Sequence, residues 1–152
     1  MFKYKSTPVI LLILISLFFT FIYFVNKSSN VEVKKNKELM KNNIEFSGII
    51  TNINISNNHA FGIMQLKIDK TNKAKFNPIA DDKLFPYAIN DSIAEIYHFI
   101  PLELKKGYKA IIKSNSKIIS FYDKDKFLFE WEISIISSET DKKFVKENTI
   151  IK

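Results

Sequence analysis

Phe127-Leu128-Phe129-Glu130-Trp131-Glu132-Ile133-Ser134-Ile135 sets the class of this chain, because large apolar residues recur in it at every second position. A strand sends successive side chains to opposite faces. The period therefore predicts Phe127, Phe129, Trp131, Ile133 and Ile135 on a core face, with Glu130, Glu132 and Ser134 toward water. The same period recurs upstream. Asp123-Lys124-Asp125 and Ser114-Asn115-Ser116 read as turns flanking a strand with Ile119 and Phe121. Before them Tyr108, Ala110 and Ile112 alternate with Lys109, Ile111 and Lys113, after a turn at Gly107.

Further back, Ser92–Ile100 reads as a strand between an Asn90-Asp91 turn and Pro101. Its two faces are Ile93, Glu95, Tyr97, Phe99 and Ala94, Ile96, His98, Ile100. Asp69–Asp82 is polar and turn-rich, and Pro78 and Pro86 argue against a central strand there, since proline lacks the ladder donor. Residues from Ile44 to Ile68 predict an antiparallel hairpin. Its first strand carries Ile49, Thr51, Ile53 and Ile55 on one face, with a bulge near Gly48. Ser56-Asn57-Asn58-His59 makes the turn. The second strand puts Met64, Leu66 and Ile68 opposite Phe61, Ile63 and Gln65.

Six short strands with little helix between them predict a mainly β domain over residues 44–136. The expected form is a small antiparallel β-barrel or sandwich, OB-like or SH3-like. Residues 137–152 read as a polar C-terminal tail, a loop or a short final element.

The N-terminal third is of another kind. After a short basic tail (residues 1–7), Pro8–Val25 (PVILLILISLFFTFIYFV) contains no charged residue. As a helix its eighteen residues span about 27 Å, close to the hydrocarbon thickness of a bilayer. A lone strand in lipid would leave its backbone groups unpaired. Residues 8–25 are therefore expected to contact the lipid bilayer as a single-pass signal-anchor. A cleaved signal peptide fits less well: the run ends in bulky Tyr23-Phe24-Val25 and has no small-x-small cleavage site. Lys34, Lys35, Lys37 and Lys41 after the run pull orientation toward a cytoplasmic C-terminal domain. A basic N-terminus directly before an apolar helix favours export, the orientation adopted here. Residues 26–43 form a polar stalk, with Ser29-Asn30-Val31-Glu32 as a capping box for a short helix and Asn42-Asn43 as its stop.

The net charge of +7 shrinks when divided, because residues 1–30 hold three lysines and no acid, leaving 20 lysines against 16 acidic residues. Arginine, with its bidentate fork for phosphates, is absent. That disfavours nucleic acid as a partner and, with the abundance of Lys, Asn and Ile, suggests an AT-rich bacterial genome. The absence of cysteine excludes disulfides, thiolate metal sites and thiol nucleophiles. Three glycines and no G-x-S-x-G leave no phosphate-cradling loop and no serine-hydrolase elbow.

The candidate functional surface is His59 in the hairpin turn, Asp81 and Asp82 in the polar segment, and Glu130 and Glu132 at i,i+2 on the last strand. His59 with Asp81/Asp82 could share a cation, and two carboxylates on one strand face could divide acid–base work. None has a ligand-spacing motif. No cofactor and no catalytic residue is assigned. The chain is expected to be a membrane-tethered β-domain that binds or scaffolds an envelope protein. A small-ligand or metal-binding barrel and a cytoplasm-facing nucleic-acid binder are the alternatives.

Overall fold

The computed structural model describes residues 7–77 and 83–151 and divides the chain into two units after Glu38. The first is dominated by a single helix, α1 (Thr7–Leu39), which by length and composition is able to cross a membrane. Its apolar side chains from Ile10 to Val25 are exposed. The helix does not restart at Ser29, so the capping box expected there is a mid-helix sequence. No glycine or proline interrupts residues 9–39, and the helix runs on through the polar stretch. That continuation, residues 26–39, adds about 21 Å. Thr20 Oγ1 donates to Ser16 O at 2.8 Å, so the Thr20 hydroxyl on the Ser16/Thr20 face is spent on its own helix backbone.

The second unit is one antiparallel sheet with a helix. Its elements are β1 (Glu45–Ile55), β2 (Phe61–Thr71), β3 (Lys75–Phe76), β4 (Tyr87–Asn90), β5 (Ile93–Phe99), β6 (Lys109–Lys113), β7 (Ile118–Asp123), β8 (Lys126–Glu132) and α2 (Glu139–Asn148). The strand order is β3-β4-β5-β2-β1-β6-β7-β8, so the expected hairpin, β1–β2, lies at the centre. The sheet is open, with β3 and β8 at its edges. One isolated bridge, Ile136 N to Leu84 O at 2.8 Å, joins the chain after β8 to the chain before β4.

One face of all these strands carries the main core, including Phe46, Ile50, Met64, Leu66, Tyr87, Ile96, Ile112 and Phe121, each at most 2 % exposed. The residues that follow α1 belong to it: Met40 and Ile44 are buried, and Ile44 N donates to Ser114 Oγ at 2.9 Å. Asn43 takes a left-handed conformation (φ 58°), as its place in the expected stop requires. Asn115 Oδ1 accepts from Asn43 N at 3.0 Å and Asn72 Nδ2 donates to Asn43 O at 2.7 Å, closing the junction.

The opposite face is covered only over β2, β5 and β4. There Phe61, Ile63, Ala88 and Tyr97 pack under Val145 and Ile151, with Phe144 alongside. Residues 139–148 are thus a docked helix, the short final element that the sequence left open beside a loop in its polar tail. Ser138 caps it by accepting from Asp141 N at 3.3 Å, and Glu139 and Asp141 lie in its first turn.

Three further expectations are corrected. Tyr87–Asn90 forms a strand between β3 and β5; Pro86 stands just ahead of it, so its missing N–H never enters the ladder, and its carbonyl accepts from Tyr97 N at 2.8 Å. Pro78 lies outside the described residues. The register does shift opposite Ser47/Gly48, but the extra residue there is Asp69 of β2; the bulge in β1 itself is at Thr51, between Ile50 and Asn52, and Ile50, not Ile49, lies in the core. In β8, Phe129 pairs with Phe121 and Phe127 with Tyr122. Leu128 is the extra residue of a bulge, and Phe127 leaves the core face to stand 50 % exposed.

A Cβ on Gly48 would lie 2.5 Å from Lys67 O, part of a paired backbone that cannot yield. Gly48→Ala is expected to lower stability by about 1–3 kcal/mol in urea denaturation. Val145→Ala, which empties the α2 contact, is expected to cost about 2 kcal/mol by the same measurement.

Candidate functional site

The described residues hold their polar chemistry in three places. The first is buried. Glu95, on the α2-covered face of β5, is 0 % exposed and meets only neutral donors. Gln65 Nε2 at 3.4 Å and Ile150 N at 3.1 Å reach Oε1; Tyr97 OH at 3.0 Å and the Thr149 hydroxyl reach Oε2. A carboxylate accepts such a set in full, and each bond offsets part of the cost of burying it. Burial, and next the charge of Glu95, pushes the Tyr97 phenol far above its ordinary value. This cluster holds the chain after α2 against the sheet. Asp141 accepts from Asn58 Nδ2 at 2.7 Å and Asn148 Oδ1 accepts from Asn54 Nδ2 at 3.3 Å, so α2 is tied to the β1–β2 hairpin at both ends.

The second place is a cleft of about 150 Å³ between the ends of β5 and β8 and the start of α2. It is lined by Tyr97, His98, Phe99, Ser134, Ser138 and Asp141 among others. His98 lies flat on Trp131, ring centroids 5.1 Å apart and planes 15° from parallel. The cleft has room for a few waters and is below the size of an ordinary small-molecule site.

The third is a groove of about 350 Å³ across β2, β1 and β6, lined by Lys70, Lys109 and Lys113 with Glu45, Thr71 and Asn72. Lys109 Nζ pairs with Asp69 at 2.6 Å, and Ser47 Oγ donates to the same carboxyl. Burial alone would raise Asp69, but the bonds from Lys109 and Ser47 outweigh it and hold the carboxyl below its usual range.

His59 is exposed in the β1–β2 turn with φ 47°. Glu130 and Glu132 are exposed on the edge strand, opposite Ser120 and Ile118. Asp81 and Asp82 lie outside the described residues. Among those described, no three His, Asp or Glu side chains converge as a metal site. Glu95 and its partners escape the sequence reading, because Glu95 alternates with the core residues Ala94 and Ile96 like any outward polar residue. Only the covering helix makes it interior.

Tyr97 keeps its proton in the fold to a higher pH than in the unfolded chain, where a phenol ionises near about 10. Above about pH 10 the unfolded state binds fewer protons, so stability falls as pH rises. Tyr97→Phe is expected to flatten that alkaline loss in denaturation series across pH. Thr149→Val, which removes one donor to Glu95, is expected to cost about 1–3 kcal/mol and to speed amide exchange after α2.

Comparison with protein-family models, with curated proteins and with solved structures finds no match to this chain, so its function has to be argued from its own geometry.

Proposed function

We propose that the chain is a single-pass membrane protein whose helix α1 anchors an exported β-domain that binds or scaffolds a protein at the bacterial envelope. The observation that carries this is the continuity of α1. An apolar segment of bilayer length is followed, without a helix break, by a polar extension. The residues next in the chain, Met40 and Ile44, are built into the domain core. The outer face of β1, β6, β7 and β8 lies outside the cover of α2 and presents Ile49, Lys113, Phe127 and Glu130 at the surface. This mixture of apolar and charged groups suits a protein partner. The completed domain is read as a curled sheet of the barrel type, drawn together where Ile136 meets Leu84.

Alkaline carbonate washing should leave the full-length chain in the membrane fraction, and deletion of residues 8–25 should release it. A mature N-terminus near residue 26, or recovery of the intact chain in the soluble fraction, would overturn the anchor. Reporters fused at the C-terminus and after Ser6 should place the domain on the exported side. Mild crosslinking in cells should then recover the same envelope protein repeatedly; repeated recovery of none counts against the binding role.

A further inference from the structure

His98 belongs to β5 and Trp131 to β8, strands that share no hydrogen-bonded ladder and lie on opposite flanks of the open sheet. Their stacked rings nevertheless bring the flanks together. Both imidazole nitrogens face backbone carbonyl oxygens: Nε2 lies 3.3 Å from Glu132 O on β8, and Nδ1 lies 3.2 Å from Phe99 O on its own strand. A carbonyl oxygen only accepts. A neutral imidazole carries one N–H, so it serves one of these oxygens and turns a lone pair toward the other. The doubly protonated ring serves both, and it also sets a cation over the face of an indole, the aromatic ring that attracts cations best.

We propose that His98 is a pH-sensitive clasp across the open side of the sheet. Protonation supplies an N–H to both carbonyls and so holds the cross-sheet contact to Glu132 O throughout. The neutral ring has one N–H to share between Glu132 O and Phe99 O of its own strand, and the cross-sheet contact is lost whenever that N–H is on Nδ1. The nearby backbone bond from Ile136 N to Leu84 O does not titrate and serves as the fixed point about which the flanks close. The ring is partly exposed, so solvent protons reach it.

The ionisable groups on the elements packed against it leave it this role. On β8, the Glu130 and Glu132 side chains are exposed. On β5, Glu95 and Tyr97 bond to each other. At the start of α2, Asp141 is held by Asn58, and Glu139 by Lys142. On β2 the residue opposite His98 is Gly62, which brings no charge.

Trp131 is the sole tryptophan and His59 the only other histidine, so the test is clean. A protonated imidazole stacked on indole quenches its emission. In the full-length chain in detergent micelles, Trp131 fluorescence should lose intensity as pH falls from about 8 to about 5. His98→Asn should abolish the loss and His59→Asn should keep it. Emission that is constant across this range, or a transition that survives in His98→Asn, overturns the clasp. Nitrogen spectra of labelled histidine in the wild-type chain decide the matter even if His98→Asn does not fold. Two slowly exchanging ring N–H groups on His98 at acid pH support the clasp, and ring N–H groups in free exchange with water overturn it.

Discussion

Glu95 is the constraint to which the domain's second layer answers. A carboxyl at 0 % exposure with only neutral donors around it is stable in a fold only while those donors stay in place. Two of the four, Thr149 and Ile150, come from the chain beyond α2. The carboxyl and the helix therefore depend on each other. Without the docked segment Glu95 would be left short of partners beneath an uncovered apolar surface of Phe61, Ile63 and Tyr97. Without Glu95 a helix with few apolar residues would have little to fix its end. The polar cluster adds direction to a contact that Val145 and Ile151 provide in area.

The two faces of the sheet follow from this. The main core lies on the face shared by all the long strands, and the second cluster occupies only the half that α2 covers. The first residues of the domain are fastened differently, by asparagines. Asn43 bonds with Asn72 and with Asn115, and Asn42 bonds with Tyr87, whose phenol is pushed up by its burial. Short amides suit this corner because Asn43 tolerates positive φ and its neighbours can satisfy backbone groups that neither helix nor sheet reaches.

What could be read from the sequence was whatever local periodicity expresses. The strands around Ile63, Ile96, Ala110, Phe121 and Phe129, the hairpin turn, the turns at Asp91, Gly107 and Lys124, and the long apolar helix all lie where their patterns put them. The failures were tertiary. Helix α2 has only Phe144 and Val145 as apolar residues, too few to mark a period, although Ser138-Glu139-Thr140-Asp141 carries an N-cap pattern. Strand β4 was hidden by the proline before it. Phe127 and Ile49 were put on the wrong face because a bulge shifts phase by one residue, and its position in β8 depends on pairing with β7. Of the candidate residues, His59, Glu130 and Glu132 proved to be exposed. The interior cluster at Glu95 was invisible because burial of a polar residue is decided by what lands on top of it.

If α1 anchors the chain as proposed, the bulge at Leu128 bears on how neighbouring copies meet. Molecules anchored in one bilayer share a plane and meet often, and an open sheet offers each neighbour an unfinished ladder. Here one edge, β3, is two residues long, too short to template a partner. The other is bent by its bulge and carries Lys126, Glu130 and Glu132 exposed along it. A flat, uncharged edge in the same place would turn crowding into irreversible sheet growth. The irregularity that defeats the simple alternation of this strand also blunts its edge against pairing with another strand.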